Sequence, residues 1–296
     1  MLEHKWKQIK VFFGRFMERD FWKQFFSMIA TLSSIATLIT FITKWPDGEI
    51  SSCTTIMGAT FIILSSVIYA IIMTNRKQRI VLPINPNLKV IVEHGDLFRQ
   101  HGIIVIPVNE YFDTLVDDVV IDHGTVHGQF IERLFPNDID NLDFQISQAL
   151  QRDGHQPIEH HQRSAGKEDK YELGTCISID KGGNTYVLFA FTHFNDNQNA
   201  WLDPNDVSGI IVKLLTYLQT NAHNRPVYMP VFGTGLSRLG KTPQRMLLYT
   251  LECIDFMCYN FKIKKGLHVE CFDMLDYNLN AVEDYFYNNI LNKPEE

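Results

Sequence analysis

A chain of 296 residues with 27 Lys/Arg, 34 Asp/Glu and a formal net charge of −7 has room for one good-sized domain and a short accessory segment. Residues 1–82 carry ten basic and five acidic residues and the remainder 17 and 29, so the larger part is acidic and lacks the basic footprint of a nucleic-acid binder. The cysteines (Cys53, Cys176, Cys253, Cys258 and Cys271) are odd in number and form no CxxC pair, which argues against a disulfide framework or zinc signature and for buried, reduced thiols.

Residues 1–23 mix Lys and Arg with Trp6, Phe12, Phe13, Phe16, Phe21 and Trp22, and read either as an amphipathic arm at a membrane surface or as a plain lead-in helix. No signal peptide is evident. Two stretches without formal charge follow, 24–43 and 54–74, joined across the turn signal Pro46-Asp47-Gly48. Their length suits a transmembrane helical hairpin. Positive charge before the first and after the second predicts an inner-membrane, multi-pass protein with both termini and the following domain cytoplasmic. The first stretch is rich in hydroxyls (Ser27, Thr31, Ser33, Ser34, Thr37, Thr40, Thr43). Two readings stand: hydroxyls bonding back to their own helix, or a polar, small-residue stripe that drives self-association into a homo-oligomer.

A linker is expected over 75–88, with Pro and Asn in Leu82-Pro-Ile-Asn-Pro-Asn-Leu88. Residues 89–296 then alternate strand and helix patterns. Short strands are predicted at 89–93, 173–180, 185–192 and 267–272, and buried-type apolar strands at 102–108 and 226–232. Lys181-Gly-Gly-Asn184 marks a hairpin turn. Helices are predicted after 124–128, over 138–152 and 205–220, after Gly233-Thr234-Gly235 to near Phe261 and over 280–291, with a polar, His-rich loop at 153–170. This order predicts an α/β domain of three layers, α/β/α, with a mixed sheet behind the N-terminal hairpin.

Gly235-Leu-Ser-Arg-Leu-Gly-Lys-Thr242 fits the phosphate-loop pattern. Too little chain follows it for the rest of a nucleotide hydrolase, and Pro243 comes early in the next helix. The expectation is instead that Gly233-Thr234-Gly235 meets phosphate through backbone N–H groups before a helix. Gly124-Thr125-Val126-His127-Gly128 is a second such turn, and the two are expected to clasp a diphosphate; tight turns without a ligand are the plain alternative. Asp96 reads as an acceptor for an adenine amino group or as a helix cap, Asn109 as a ribose contact or an Asn turn. His123 and His127 stand four apart but have no third ligand, so no metal site is expected.

These residues resemble a macro domain, the ADP-ribose-binding module, over roughly 88–276. The likeness rests on His94-Gly-Asp-Leu97, Ile106-Pro-Val-Asn109, the glycine turn 124–128 and Pro230-Val-Phe-Gly-Thr-Gly235. It implies that Asp96 and Leu97 hold adenine with Phe272 stacked on it, and that Asn109 meets the distal ribose. Gly124, Thr125, Val126, His127 and Gly128, with Phe232, Gly233, Thr234, Gly235 and Leu236, would wrap the diphosphate. The usual Asn-Ala-Ala-Asn run is absent, which weakens the case for hydrolase activity more than for binding. Two membrane spans before such a domain resemble the membrane effectors of type II Thoeris anti-phage defence. That resemblance implies a signal derived from ADP-ribose, such as a histidine–ADP-ribose conjugate, made by a TIR-domain partner, with no cofactor, and oligomerisation and membrane disruption that stop the infected cell. A membrane-tethered ADP-ribosyl hydrolase and a passive ADP-ribose reader are the rival readings.

Overall fold

The structure is a computed structural model that describes residues 19–43, 52–73, 77–195, 199–234, 239–257, 261–273 and 276–291. It divides into two compact units, Met1–Arg76 and Lys77–Glu296. The N-terminal arm before residue 19 and the loop at 44–51 lie outside the described residues, as do Gly235 and Leu236.

The first unit contains two helices, α1 (Arg19–Thr43) and α2 (Ser52–Met73), which pack together. The transmembrane hairpin expected from the sequence is corrected here: among the described residues no helix is long and apolar enough to cross a membrane. The multi-pass inner-membrane placement falls with it. Three of the hydroxyls bond back to their own helix: Thr31, Ser34 and Thr37 donate to the carbonyls of Ser27, Ala30 and Ser33 at 2.8–2.9 Å.

The second unit is built on a mixed sheet. Its strands are β1 (Arg79–Asn85), β2 (Leu88–His94), β3 (Ile103–Asn109), β4 (Glu159–His160), β5 (Asp169–Lys170), β6 (Cys176–Lys181), β7 (Asn184–Phe194), β8 (Ala200–Trp201), β9 (Val227–Pro230) and β10 (Ile263–Cys271). The main sheet runs β1-β2-β10-β9-β3-β7-β6, with β8 paired to β7 and β4–β5 a separate hairpin. The strands from β2 through β10, β9 and β3 to β7 are mutually parallel, and β1 and β6 close the edges antiparallel. Residues 82–88, expected as linker, are strand and turn instead: Leu82 pairs with Val90 and is buried.

The helices are α3 (Val126–Leu134), α4 (Ile139–Arg152), α5 (Val207–Asn221), α6 (Pro243–Met257) and α7 (Leu279–Phe286). The α5 residues Val207, Ile210, Ile211, Leu214, Leu215 and Leu218 are all buried, the stripe that a 3.6-residue period requires. Gly154 ends α4 at φ +74°: its amide donates to the Gln151 carbonyl and that of His155 to Leu150, a Schellman stop. The hairpin turn falls where the sequence puts it, with Gly182 and Gly183 at φ +60° and +83° and Lys181 paired to Asn184. The expected three-layer α/β/α arrangement with a mixed sheet is present.

The central strands β3 and β7 are covered on both faces, and Phe189 of β7 packs its ring against Phe191 and Phe232 at 5.5 and 5.1 Å. Phe189→Ala should therefore cost about 3–5 kcal/mol, the usual toll for emptying a buried aromatic site. Urea unfolding followed by circular dichroism measures it.

Candidate functional site

Parallel strands all present their carboxyl ends on one side, and ligands in such sheets sit outside those ends. A cavity of about 510 Å³ opens there. Asp96 and Leu97 after β2, Asn109 at the end of β3, Gly124 to His127 at the start of α3, Phe232 to Thr234 after β9, and Phe272 after β10 all line it. The two glycine turns, far apart in sequence, thus share one cleft. Gly128 does not line it. Its amide is capped by Thr125 Oγ1 at 3.0 Å, and a Cβ there would fall 2.4 Å from the Asp122 carbonyl oxygen, so this glycine serves packing.

The walls are built by local chemistry. Thr125 is the N-cap of α3, and its hydroxyl also donates to the Asp122 carbonyl at 2.7 Å. The amide-rich, positive end of α3 therefore opens on the cleft through Val126 and His127. Gly233 has φ +74°, and a Cβ on it would meet Leu239 Cδ1 and Met246 Cε at 2.7 Å. Only glycine takes this position without strain. Phe232 is 1% exposed and belongs to the aromatic core as much as to the cleft. Phe272 is 66% exposed and stands at the rim.

Asp96 accepts from the Phe98 amide at 3.1 Å as the cap of a 3-10 turn, so the helix-cap reading is present in the structure. Its carboxylate also receives Arg133 Nη1 at 3.2 and 3.3 Å, and that guanidinium lies 4.8 Å over the Phe98 ring. Asn109 is buried. Its Oδ1 accepts from the Tyr111 and Asp113 amides at 3.2 Å, the turn reading, and its Nδ2 donates to Asp113 Oδ2 at 2.9 Å. Both residues line the cleft while already committed to the fold.

Sequence reasoning missed several members. Asp113 is fully buried and takes hydrogen bonds from Asn109, from Arg163 Nη1 at 2.9 and 3.1 Å, and from the Lys167 amide at 2.6 Å. Arg163 in turn lies 4.1 Å from the Tyr111 ring centre. The loop expected to be polar and solvated thus sends one cation into the interior. Its His160 does stay outside, beside Asp169 and Glu168 at 2.9 and 3.2 Å. The Asp118–Asp122 segment forms another wall, and the carboxylate of Asp117, just before it, accepts from the Val119 and Val120 amides at 3.0 and 2.7 Å. Glu270, at the end of β10, lines the cleft and is 4% exposed. A carboxyl in the apolar run His-Val-Glu-Cys was the sequence signal for it. Burial, then Glu93 and Asp96, push its pKa up to about 7.

The two histidines of the four-residue spacing part company. His123 is exposed and bonded to Glu132, which raises its pKa. His127 is 8% exposed, and burial followed by the Lys167 charge pushes its pKa down to about 3, against a hydrogen bond to the Asp113 backbone. The phosphate-loop match is broken as expected at Pro243, which opens α6.

Two measurements follow. Arg163→Ala leaves Asp113 charged and buried without its cation and should cost about 3–5 kcal/mol in urea unfolding. His127 binds its proton less tightly when folded than the usual 6.5, so its contribution to stability is present above pH 6.5 and is lost as pH falls toward 3. His127→Gln should flatten the stability–pH curve in that window by up to roughly 1.4 kcal/mol per pH unit.

The family model described as "Thoeris protein ThsA, Macro domain" matches residues 90–271. A Thoeris protein ThsA of Bacillus amyloliquefaciens (strain Y2) is 27% identical over 255 residues, which span 84% of this chain and 80% of that protein. The Oceanobacillus iheyensis macrodomain solved with ADP is 14% identical with a TM-score of 0.51, covering 72% of this chain and 98% of that one. A mutant of that macrodomain with ADPR is 13% identical with a TM-score of 0.50, covering 73% and 100%. At such identities these two show the fold alone. The family model spans well over half of the chain and its whole cleft-bearing core from β2 to β10, so this chain belongs to the family of Thoeris ThsA proteins with a macro domain.

Proposed function

We propose that the cleft binds an ADP-ribose derivative and that the chain is the sensing effector of a Thoeris defence system. The signal, such as a histidine–ADP-ribose conjugate, would come from a TIR-domain partner. The observation that carries this reading is the meeting of the two glycine turns across one cleft, beside the positive end of α3. A diphosphate held between them is met by backbone amides. Adenine then lies toward Asp96, Leu97 and Phe272, and the distal ribose toward Asn109. Gly235 and Leu236, outside the described residues, belong to the same proposed phosphate loop.

The output is proposed to be self-association of the N-terminal helices. Along α2, Phe61, Leu64, Ile68 and Ile72 are all exposed at helical spacing, and exposed apolar side chains along one helix face mark an interaction surface. Ligand binding has to favour one packing of neighbouring copies over another, or nothing is switched. For the rival hydrolase reading, the candidates Asn109 and His127 are an engaged amide and an imidazole kept neutral by burial. Release of ADP-ribose from a modified substrate would favour that rival.

Calorimetry of the full chain with ADP-ribose and its conjugates tests the binding. Saturable one-to-one binding is expected, lost in Gly233→Val. Phe272→Ala should weaken it roughly tenfold, since base–aromatic stacking is worth about 1–3 kcal/mol. Light scattering should show a larger assembly with ligand than without; monomers in both conditions would remove the proposed output.

A further inference from the structure

Outside the diphosphate loops, one buried group in the cleft wall has no described partner. Glu270 is 4% exposed, and neither carboxylate oxygen has a hydrogen-bond partner among the described residues. Buried carboxyl groups are ordinarily satisfied, because stripping one of water without a replacement partner is costly. The sheet makes matters worse for it: in the register of β10 with β2, Glu270 stands directly opposite Glu93, an arrangement that sets like charges against each other. The nearby cations are spent elsewhere. Arg79 lies 3.3 Å from Glu93, and Arg133 lies 3.2 Å from Asp96.

Two residues before Glu270, on the same face of β10, stands His268. Its Nδ1 is 2.6 Å from Glu93 Oε1, and its ring lies against Tyr228 of β9, with ring centres 4.5 Å apart. One donor atom from each of Glu93, His268 and Glu270 lies within 4.8 Å of the others. A zinc or manganese ion bonds such donors at about 2.0–2.2 Å, so small side-chain rotations close three of them around one ion. Gly95 leaves the room for this, since a Cβ there would fall 2.1 Å from Glu270 Oε2.

We propose that Glu93, His268 and Glu270 form a binding site for one divalent transition-metal ion of the zinc or manganese class. Two carboxylates and one imidazole suit those ions. Calcium, which takes six to eight oxygen ligands, is poorly served by three protein donors. The ion supplies the positive partner that Glu270 otherwise lacks and cancels its conflict with Glu93. The Tyr228 ring packs against the imidazole and limits its rotation. Because Glu270 also lines the cleft, the ion braces the wall between Gly95 and Phe272.

The test uses the untagged full chain, stripped with EDTA and dialysed, then titrated by calorimetry with zinc chloride and, separately, manganese chloride. One ion per chain is expected, with manganese binding also visible by electron paramagnetic resonance. Glu270→Gln preserves shape while removing the charge, and His268→Ala removes the nitrogen. Each should weaken binding at least a hundredfold, while thermal melts of the metal-free variants confirm that they are folded. Should Glu270→Gln unfold the chain, Glu93→Gln takes its place. Absence of stoichiometric binding, binding unchanged in the variants, or a preference for calcium would each overturn the proposal.

Discussion

The cleft depends on one buried ion pair. Asp113 and Arg163 meet at 2.9 Å with side-chain exposures of 0% and 4%, and further bonds tie the aspartate to the end of β3 through Asn109 and to the loop through Lys167. His127 adds a bond from α3 to the same backbone. Three segments distant in sequence are therefore pinned at one charge. Phe112, buried and at φ +51°, shows how tightly the turn between Asn109 and Asp113 is drawn. An ion pair this dry adds little net stability compared with apolar packing, but removing one partner is severe. It acts as a constraint on geometry, holding the end of β3 and Asn109 at the wall of the cleft.

An acidic chain proposed to recognise an anion needs a particular solution. The described cations around the cleft are already committed: Arg133 to Asp96, Arg163 to Asp113, and Lys167 to Asp143 at 2.6 Å. Recognition of the proposed diphosphate would then fall to backbone amides and to the end of α3, which carry partial positive charge without a counter-ion of their own. The glycine at 233 lets the loop take a positive φ with its backbone packed close against Leu239 and Met246, and the cap at Thr125 orients the helix end. Both devices position polar groups in advance.

Much of the fold was legible in the sequence because its signals are local. The Gly182-Gly183 turn, the helix stripe in α5 and the apolar run of β3 each depend on neighbours in the chain. The boundary at 82–88 was misread because Pro83 and the Asn pair look like linker punctuation. An edge strand tolerates proline where its amide faces outward, and only pairing with β2 reveals it as a strand. The membrane reading counted uncharged residues, and lack of formal charge is not apolarity: the first stretch carries seven hydroxyls, and among the described residues no helix is long and apolar enough to cross a membrane.

The sequence by itself determined the α/β order, the macro-domain resemblance and the residues at the strand ends, since periodicity, turn chemistry and short motifs are written in consecutive positions. Only the tertiary structure decided which of those residues meet. It joined the turns at 124 and 233 in one cleft, separated His123 from His127, drew Arg163 out of a polar loop onto Asp113, and set Glu270 opposite Glu93. Contacts of that kind are fixed by strand register and by the cost of leaving a buried charge unpaired, and neither quantity can be read from neighbours along the chain.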